Sequence, residues 1–172
     1  SRWPLKRWAK KKAFDDYLFT DAGVRFHGME LQSGDVFLLH MHESSDGMYT
    51  SYAKPEQLFP HFGLFVILSY EGKRLPAVLE IHRMGLRAIP LSAYFQPTYA
   101  DYIEIYRLPA AAKPADFEAK LSAAATQAES EPHAYGLDPS QSEASGRHYL
   151  TCGQVGSMLL ERAGLDRWRG LS

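Results

Sequence analysis

The chain has 172 residues, of which 45% are hydrophobic and 23% are charged, a composition typical of one globular domain and not of a disordered or fibrous chain. The formal net charge of −1 argues against a general nucleic-acid-binding protein, and no run approaches the roughly 18 apolar residues of a membrane span. The single cysteine cannot form an intrachain disulfide, and a lone thiol in a globular chain is a candidate nucleophile.

Residues 1–12 form a basic arm that carries six basic side chains, no acidic one, and the aromatic residues Trp3 and Trp8. One interpretation is a solvated helix start or a juxtamembrane stub. The other is an interfacial anchor that contacts an anionic membrane surface. The chain lacks an initiator methionine. A removed signal or anchor segment would fit this, and among compartments we favour the cell envelope or periplasm.

Residues 4–20 are predicted to form an amphipathic helix, so we assign residues 1–30 to a basic helical arm and residues 31–172 to the main domain. A turn at residues 31–35 and a strand at residues 36–41 follow. The apolar run at residues 62–68 has no polar residue at every second position, as a strand with one exposed face would. This predicts a central strand buried on both faces. Further elements follow in chain order: a hairpin turn at Glu71-Gly72 and strands at residues 77–83, 86–90 and 102–106.

Two helices are predicted in the C-terminal part. Pro114 at a first helical position begins an alanine-rich helix, and a second helix runs from Thr151 to Ala163, with Gly164 in the usual stop position. Residues 43–57 and 130–147 are predicted to be long polar loops. The chain is therefore predicted to be an α+β domain, in which an antiparallel sheet packs against the helix that carries the cysteine.

Cys152 lies in the first turn of that predicted helix. Thr151 as N-cap and Gln154 at the third helical position fit a capping box. Free N–H groups and the helix dipole stabilise a thiolate there, and the Cys152 amide is a natural oxyanion donor. Gly153 and Gly156 are poor helix formers, which indicates close approach of a backbone or a substrate. The alternative is an inert, buried structural cysteine.

A cysteine nucleophile needs an imidazole and an orienting group. His61 enters the most buried predicted strand, where a scaffold holds it in reach of the surface. If Glu71-Gly72 is the two-residue loop of a hairpin, Glu80 lies opposite Gly63 and His82 opposite His61, so all four share one face. Glu80 is the predicted orienter and His82 its reserve.

Four segments, in this order and spacing, resemble the circularly permuted papain-like cysteine hydrolases, the YiiX/YaeF-like branch of the NlpC-type cysteine peptidase superfamily. They are His61-Phe62-Gly63, Glu80, Gly85-Leu86-Arg87-Ala88-Ile89-Pro90-Leu91 and Tyr149-Leu150-Thr151-Cys152. The resemblance implies a permuted papain-like fold with Cys152 as nucleophile, His61 as general base and acid, and Glu80 as orienter.

The same resemblance implies a substrate site near the cysteine. Members of the family often carry a Tyr-Asp pair in the preceding loop, and Tyr135 and Asp138 stand there with two residues between them. Gly153 follows the cysteine where the family often has serine. Together with His82, these residues are the predicted substrate-binding positions.

The sequence offers little support for a metal site. His40, His42 and Glu43 are close in sequence and His82 lies elsewhere, but no third ligand is spaced convincingly, so we expect neither metal nor cofactor. The aromatic stretch from Tyr94 to Tyr106 is interpreted as core and edge strand, with an apolar wall for substrate as the alternative.

The predicted function is therefore a cysteine hydrolase that cleaves an amide in a peptide or cell-wall fragment through a thioester. Two alternatives stay open: lipid acyl transfer or deacylation by the same three residues, as in lecithin:retinol acyltransferase-like proteins, and a catalytically silent binding module. The expected partner is a peptide or an acylated small molecule, with no nucleic acid.

Overall fold

The computed structural model describes residues 17–40, 61–82, 85–94, 102–135, 148–150 and 152–165. Most of the strands precede the two longer helices, and two short strands lie between those helices in the chain. The strands are β1 (Leu18–Phe19), β2 (Val24–Phe26), β3 (Met29–Leu31), β4 (Val36–His40), β5 (His61–Tyr70), β6 (Lys73–His82), β7 (Gly85–Pro90), β8 (Tyr102–Tyr106), β9 (His133–Tyr135) and β10 (His148–Leu150). The helices are α1 (Leu91–Tyr94), α2 (Phe117–Glu129) and α3 (Cys152–Arg162), with a 3-10 turn at Ala110–Ala112.

A five-stranded antiparallel sheet in the order β7-β6-β5-β4-β8 is the centre of the fold. A three-stranded meander of β1, β2 and β3 and a parallel pair of β9 and β10 accompany it. The predicted α+β class is confirmed. β5 is the middle strand and is buried from Gly63 to Leu68, as its uninterrupted apolar sequence predicts.

The hairpin between β5 and β6 has the predicted turn and register. Glu71 and Gly72 both have positive φ, 47° and 74°, which is the requirement of a two-residue type I′ turn. Pairs run from Tyr70 with Lys73 to Leu64 with Leu79. The chemistry of one turn therefore sets the register of the two longest strands.

The two faces of the central sheet are covered by different elements. We call the face that carries Phe62 the helix face, because the Phe62 ring lies against Gly156 of α3, and α2 packs beside α3 and β5. The opposite face, the Tyr94 face, carries Phe37, whose ring is 5.8 Å from that of Tyr94 in α1. Strand alternation assigns each residue of β5 and β6 to one of these faces.

Part of the predicted N-terminal helix is wrong. Leu18 and Phe19 form a strand, and the rest of residues 17–30 is strand and turn, because His27 and Gly28 adopt positive φ and close a hairpin. Tyr17 is buried, and its hydroxyl accepts a hydrogen bond from the Ser92 amide at 2.7 Å. Residues 1–16, including the basic arm, lie outside the described residues.

Two further boundaries differ from the predictions. The alanine-rich helix begins at Phe117 and not at Pro114, because Asp116 is left-handed, with φ 56°. The stretch predicted as a loop at residues 130–147 contains β9. Gly164, with φ 93°, ends α3 as predicted. Among the described residues, no helix is long and apolar enough to cross a membrane.

Candidate active site

Cys152 is the first residue of α3. The first turn of this helix contains no acidic residue, so no carboxylate there opposes the positive end of the helix dipole, which favours a thiolate. Next to it, Gly153 is exposed, and no atom of the described residues lies within 4 Å of where its Cβ would stand. The surface beside the cysteine backbone is therefore open in this part of the structure. Thr151 and the Cys152 side chain lie outside the described residues.

The position of α3 brings the cysteine backbone towards the start of β5. A Cβ on Gly156 would stand 2.5 Å from Cζ of Phe62, so the glycine permits this helix to lie directly on the strand. Cys152 precedes Gly156 by about one helical turn, or roughly 6 Å. Phe62 is the second residue of β5, immediately after His61. The glycines were predicted to allow close approach of a backbone or a substrate. At Gly156 the close neighbour is instead the Phe62 side chain, and at Gly153 no described atom is near.

Glu80 is buried in β6, with 2% of its surface exposed. Arg87 lies directly opposite it on β7, and Nε and Nη2 of the guanidinium both contact Oε1 of the carboxylate. The Arg87 side chain is 45% exposed. The ion pair thus joins a carboxylate inside the fold to a cation at its surface, and the cation compensates a charge that would otherwise be costly to bury.

The end of the sheet that carries His61 and His82 is built differently from its middle. Within the described residues, the ladder between β5 and β6 stops at Leu64 and Leu79, while β5 continues beside β4 to His61 and β6 continues beside β7 to His82. The ladder thus does not include the predicted pairs of Gly63 with Glu80 and of His61 with His82. The pairing therefore opens between the two histidine positions. Their side chains lie outside the described residues.

Gly63 has a packing role on the Tyr94 face. A Cβ at this position would stand 2.6 Å from the Tyr94 hydroxyl and 2.6 Å from Cγ1 of Val78. The missing side chain thus admits the tyrosine to the face that also carries Glu80. Tyr94 is fully buried, so this member of the aromatic stretch belongs to the core, whereas Tyr106 at the other end is exposed.

The candidate residues do not all share one face of the sheet. Phe62 contacts α3, and strand alternation puts Gly63 and Glu80 on the opposite face. The helix of Cys152 and the carboxylate of Glu80 therefore lie on different sides of β5 and β6. His61 is the first residue of β5, and strand alternation assigns its position to the Tyr94 face, with Gly63 and Glu80.

The other predicted substrate positions are only partly described. Tyr135 is the last residue of β9, a strand that lies along β6 and β7. Asp138 and the loop at residues 43–57 lie outside the described residues, and so do His42 and Glu43. Within the described residues, no group of three or more His, Cys, Asp or Glu side chains could hold a metal ion.

A second buried carboxylate, Asp35, precedes β4. Arg107 binds both of its oxygens, at 3.0 and 2.8 Å, and the Gln32 amide donates to it at 2.9 Å. Hydrogen bonding to Asp35 raises the pKa of Arg107, and burial lowers the pKa of the neighbouring Lys113. These groups tie the turn before β4 to the chain after β8, which is a structural role.

Sequence reasoning missed Arg87 and Arg107 as the partners of the two buried acids. Arg87 had a usable signal: it lies two residues after Gly85, on the strand that must pair with β6. Arg107 had none, because 72 positions separate it from Asp35.

Comparison with solved structures places this architecture in a known fold. No family model and no curated protein matches the chain. The α+β arrangement is that of the metalloprotein YiiX from Escherichia coli O157:H7, whose crystal structure superimposes with a TM-score of 0.52. The match has 20% sequence identity and covers 79% of this chain and 68% of YiiX. The similarity shows a shared YiiX-like fold.

Proposed function

We propose that this protein is a cysteine hydrolase that cleaves an amide bond, in a peptide or a cell-wall fragment, through a thioester on Cys152. The observation that carries the proposal is that Cys152 begins α3, and that Gly156, one turn later in the same helix, lies against Phe62, the residue after His61 in β5. His61 precedes Cys152, as a circular permutation of the papain arrangement requires. This order does not argue against the proposal, because such sets are recognised by geometry and not by chain order.

The proposed reaction uses the three residues in sequence. His61 takes the thiol proton, and the Cys152 sulfur attacks the carbonyl carbon of the amide. The oxyanion is bound by free N–H groups at the start of α3. His61 then returns the proton to the departing amine, and water attacks the thioester, losing its proton to His61 and releasing the acid and the thiol.

Glu80 acts on His61 and not on the thiol in this proposal. The third member of such a set orients the imidazole and stabilises its protonated form. That role fits Glu80, because strand alternation gives it the same face as position 61, whereas α3 lies on the helix face. Arg87 holds the Glu80 carboxylate in place.

YiiX is described as a metalloprotein, so a metal needs consideration here. In the part of the chain that the structure describes, no group of three or more His, Cys, Asp or Glu side chains could hold a metal ion. The described residues therefore offer no metal site to the proposed reaction, and no step of it is assigned to a metal.

Thiol labelling and substrate turnover test the proposal together. Cys152 should react with iodoacetamide faster than a free thiol of pKa about 8.5 at neutral pH. Cell-wall stem peptides should give an acyl adduct on Cys152 by mass spectrometry, and Cys152→Ala should lose turnover but retain its fold. Ser157→Ala is the matched control in the same helix, since Ser157 is exposed and has no role in the proposed reaction.

Each alternative result has a definite meaning. A fatty-acyl adduct from phospholipid would replace amide hydrolysis with lipid acyl transfer or deacylation. A thiol that reacts as a free cysteine, with no adduct from either substrate class, would exclude a hydrolase and favour a binding module.

A further inference from the structure

Lys113 lies between the 3-10 turn and α2, and it is partly buried. Its ammonium nitrogen, Nζ, donates a hydrogen bond to Oε1 of the Gln32 side chain at 3.2 Å. The same nitrogen lies over the ring of Phe117, 5.6 Å from its centre. Both contacts are with neutral groups, which stabilise a positive charge less than a carboxylate does.

The charged groups beside Lys113 are those of the Asp35–Arg107 ion pair. Arg107 binds both carboxylate oxygens of Asp35, so the negative charge of Asp35 is shared with a second cation. The Glu30 carboxylate also acts on Arg107 and lies 3.5 Å from the side-chain amide of Gln32. Burial lowers the pKa of Lys113, the charge of Asp35 raises it and the charge of Arg107 lowers it, with a net decrease. The fold therefore favours the neutral amine of this lysine.

Desolvation and a neighbouring cation are two conditions that activate a lysine as a nucleophile. Lys113 meets both, since it is partly buried and stands beside Arg107. The two other lysines of the described ranges, Lys73 and Lys120, are exposed. A reagent reaches them more easily, but water stabilises their ammonium form, which has no lone pair for attack. Accessibility and local environment therefore predict opposite orders of reactivity.

We propose that Lys113 is a site of covalent acylation, at which its amine takes the acyl group of a small thioester. The amine nitrogen attacks the carbonyl carbon and an N–C bond forms. The C–S bond breaks, the thiolate leaves, and the amine proton passes to water. The product is a neutral amide whose N–H can still donate to Gln32, so acylation removes a positive charge from beside Arg107 and keeps the hydrogen bond. The site does not depend on the proposed hydrolase.

Competition among the lysines of one sample tests the site. Cys152→Ala is the background, so that the thiol cannot take the acyl group first. The full chain is treated at neutral pH with a limiting amount of S-acetyl-N-acetylcysteamine, an acetyl thioester, and peptide mass spectrometry follows the acetylated fraction of each lysine. Lys113 should react at least about twofold faster than Lys73 and Lys120, because a larger fraction of its amine is neutral.

Gln32→Glu changes the environment of the amine without shortening a side chain. It puts a carboxylate oxygen where the amide oxygen now accepts the Lys113 hydrogen bond, which stabilises the ammonium and should slow acetylation of Lys113 at least about threefold. Gln127→Glu at an exposed position of α2 is the matched control and should leave that rate unchanged. Thermal unfolding checks that each variant is folded.

Two results would each overturn the proposal. One is acetylation of Lys73 or Lys120 at least as fast as that of Lys113 in the background protein, a ranking that needs no further variant. The other is an unchanged rate at Lys113 in a folded Gln32→Glu protein, which would mean that the environment of the amine does not set its reactivity.

Discussion

Replacement of Arg87 by Met tests whether the buried Glu80 carboxylate depends on its ion pair. Removing one partner of a buried pair costs about 3–5 kcal/mol, because the other charge stays inside the fold without compensation. Arg87 is 45% exposed, so water reaches the pair and the low end, about 3 kcal/mol, applies. For a chain of this size each kcal/mol lowers Tm by about 2–4 °C, so Arg87→Met should lower Tm by about 6–12 °C.

Replacement of Glu80, the other partner of the pair, should destabilise the fold less than replacement of Arg87. Glu80→Gln leaves a half-exposed guanidinium that water can solvate, and an amide that still accepts a hydrogen bond, so we expect a loss of about 1 kcal/mol. The double variant should resemble Glu80→Gln alone, since no buried charge remains. Urea unfolding of the three variants measures this, with Glu118→Gln as control because the Arg74–Glu118 pair is one-third exposed and is worth less than about 1 kcal/mol. Additive losses would refute the argument.

Three further predictions follow from the glycines and the basic arm. Gly156→Ala should destabilise the fold by about 1–3 kcal/mol, because the added methyl group clashes with Phe62. Gly153→Ala should be neutral or stabilising by up to about 1 kcal/mol. If thermal unfolding ranks the two variants in the other order, this packing is contradicted. Gly63→Ala should also destabilise the fold by about 1–3 kcal/mol. Adding Tyr94→Phe to that variant should recover part of the loss, because it removes the hydroxyl that the new Cβ would meet. If urea unfolding shows no recovery, that contact is contradicted. Deletion of residues 1–12 should abolish sedimentation with anionic vesicles and leave the fold intact, since each basic residue near such a surface contributes about 1 kcal/mol; equal sedimentation of both chains would exclude the anchor.

Local chemistry made the sheet predictable from sequence. Glu71-Gly72 adopts the positive φ values of a two-residue turn. The apolar run at residues 62–68, in which polar residues do not alternate with apolar ones, indicates a central strand. From that turn, counting along two strands gives the register to Leu64 and Leu79. The start of α3 at Cys152 follows in the same way from its helix pattern.

Features that depend on distant contacts were not predictable. Leu18 and Phe19 fit an amphipathic helix by spacing, but the turn at His27 and Gly28 and the burial of Tyr17 against α1 give a strand meander. The end of the β5–β6 ladder, the helix on the Phe62 face and the pairing of His133 with His148 all depend on how elements meet. No local pattern carries that information.

The placement of α3 and Glu80 on opposite faces gives the proposed mechanism a further test. If the carboxylate reaches the reaction only through the imidazole, it has nothing to act on when His61 is absent. Glu80→Gln should therefore lower kcat with His61 present, and the rate of the His61→Ala, Glu80→Gln double variant should equal that of His61→Ala alone, because residues that act as a unit are not additive. Single-turnover acylation of Cys152 by a peptide ester measures each rate, and circular dichroism checks each fold. A further loss in the double variant would mean that Glu80 acts on substrate or thiol directly, which is incompatible with its position behind the sheet.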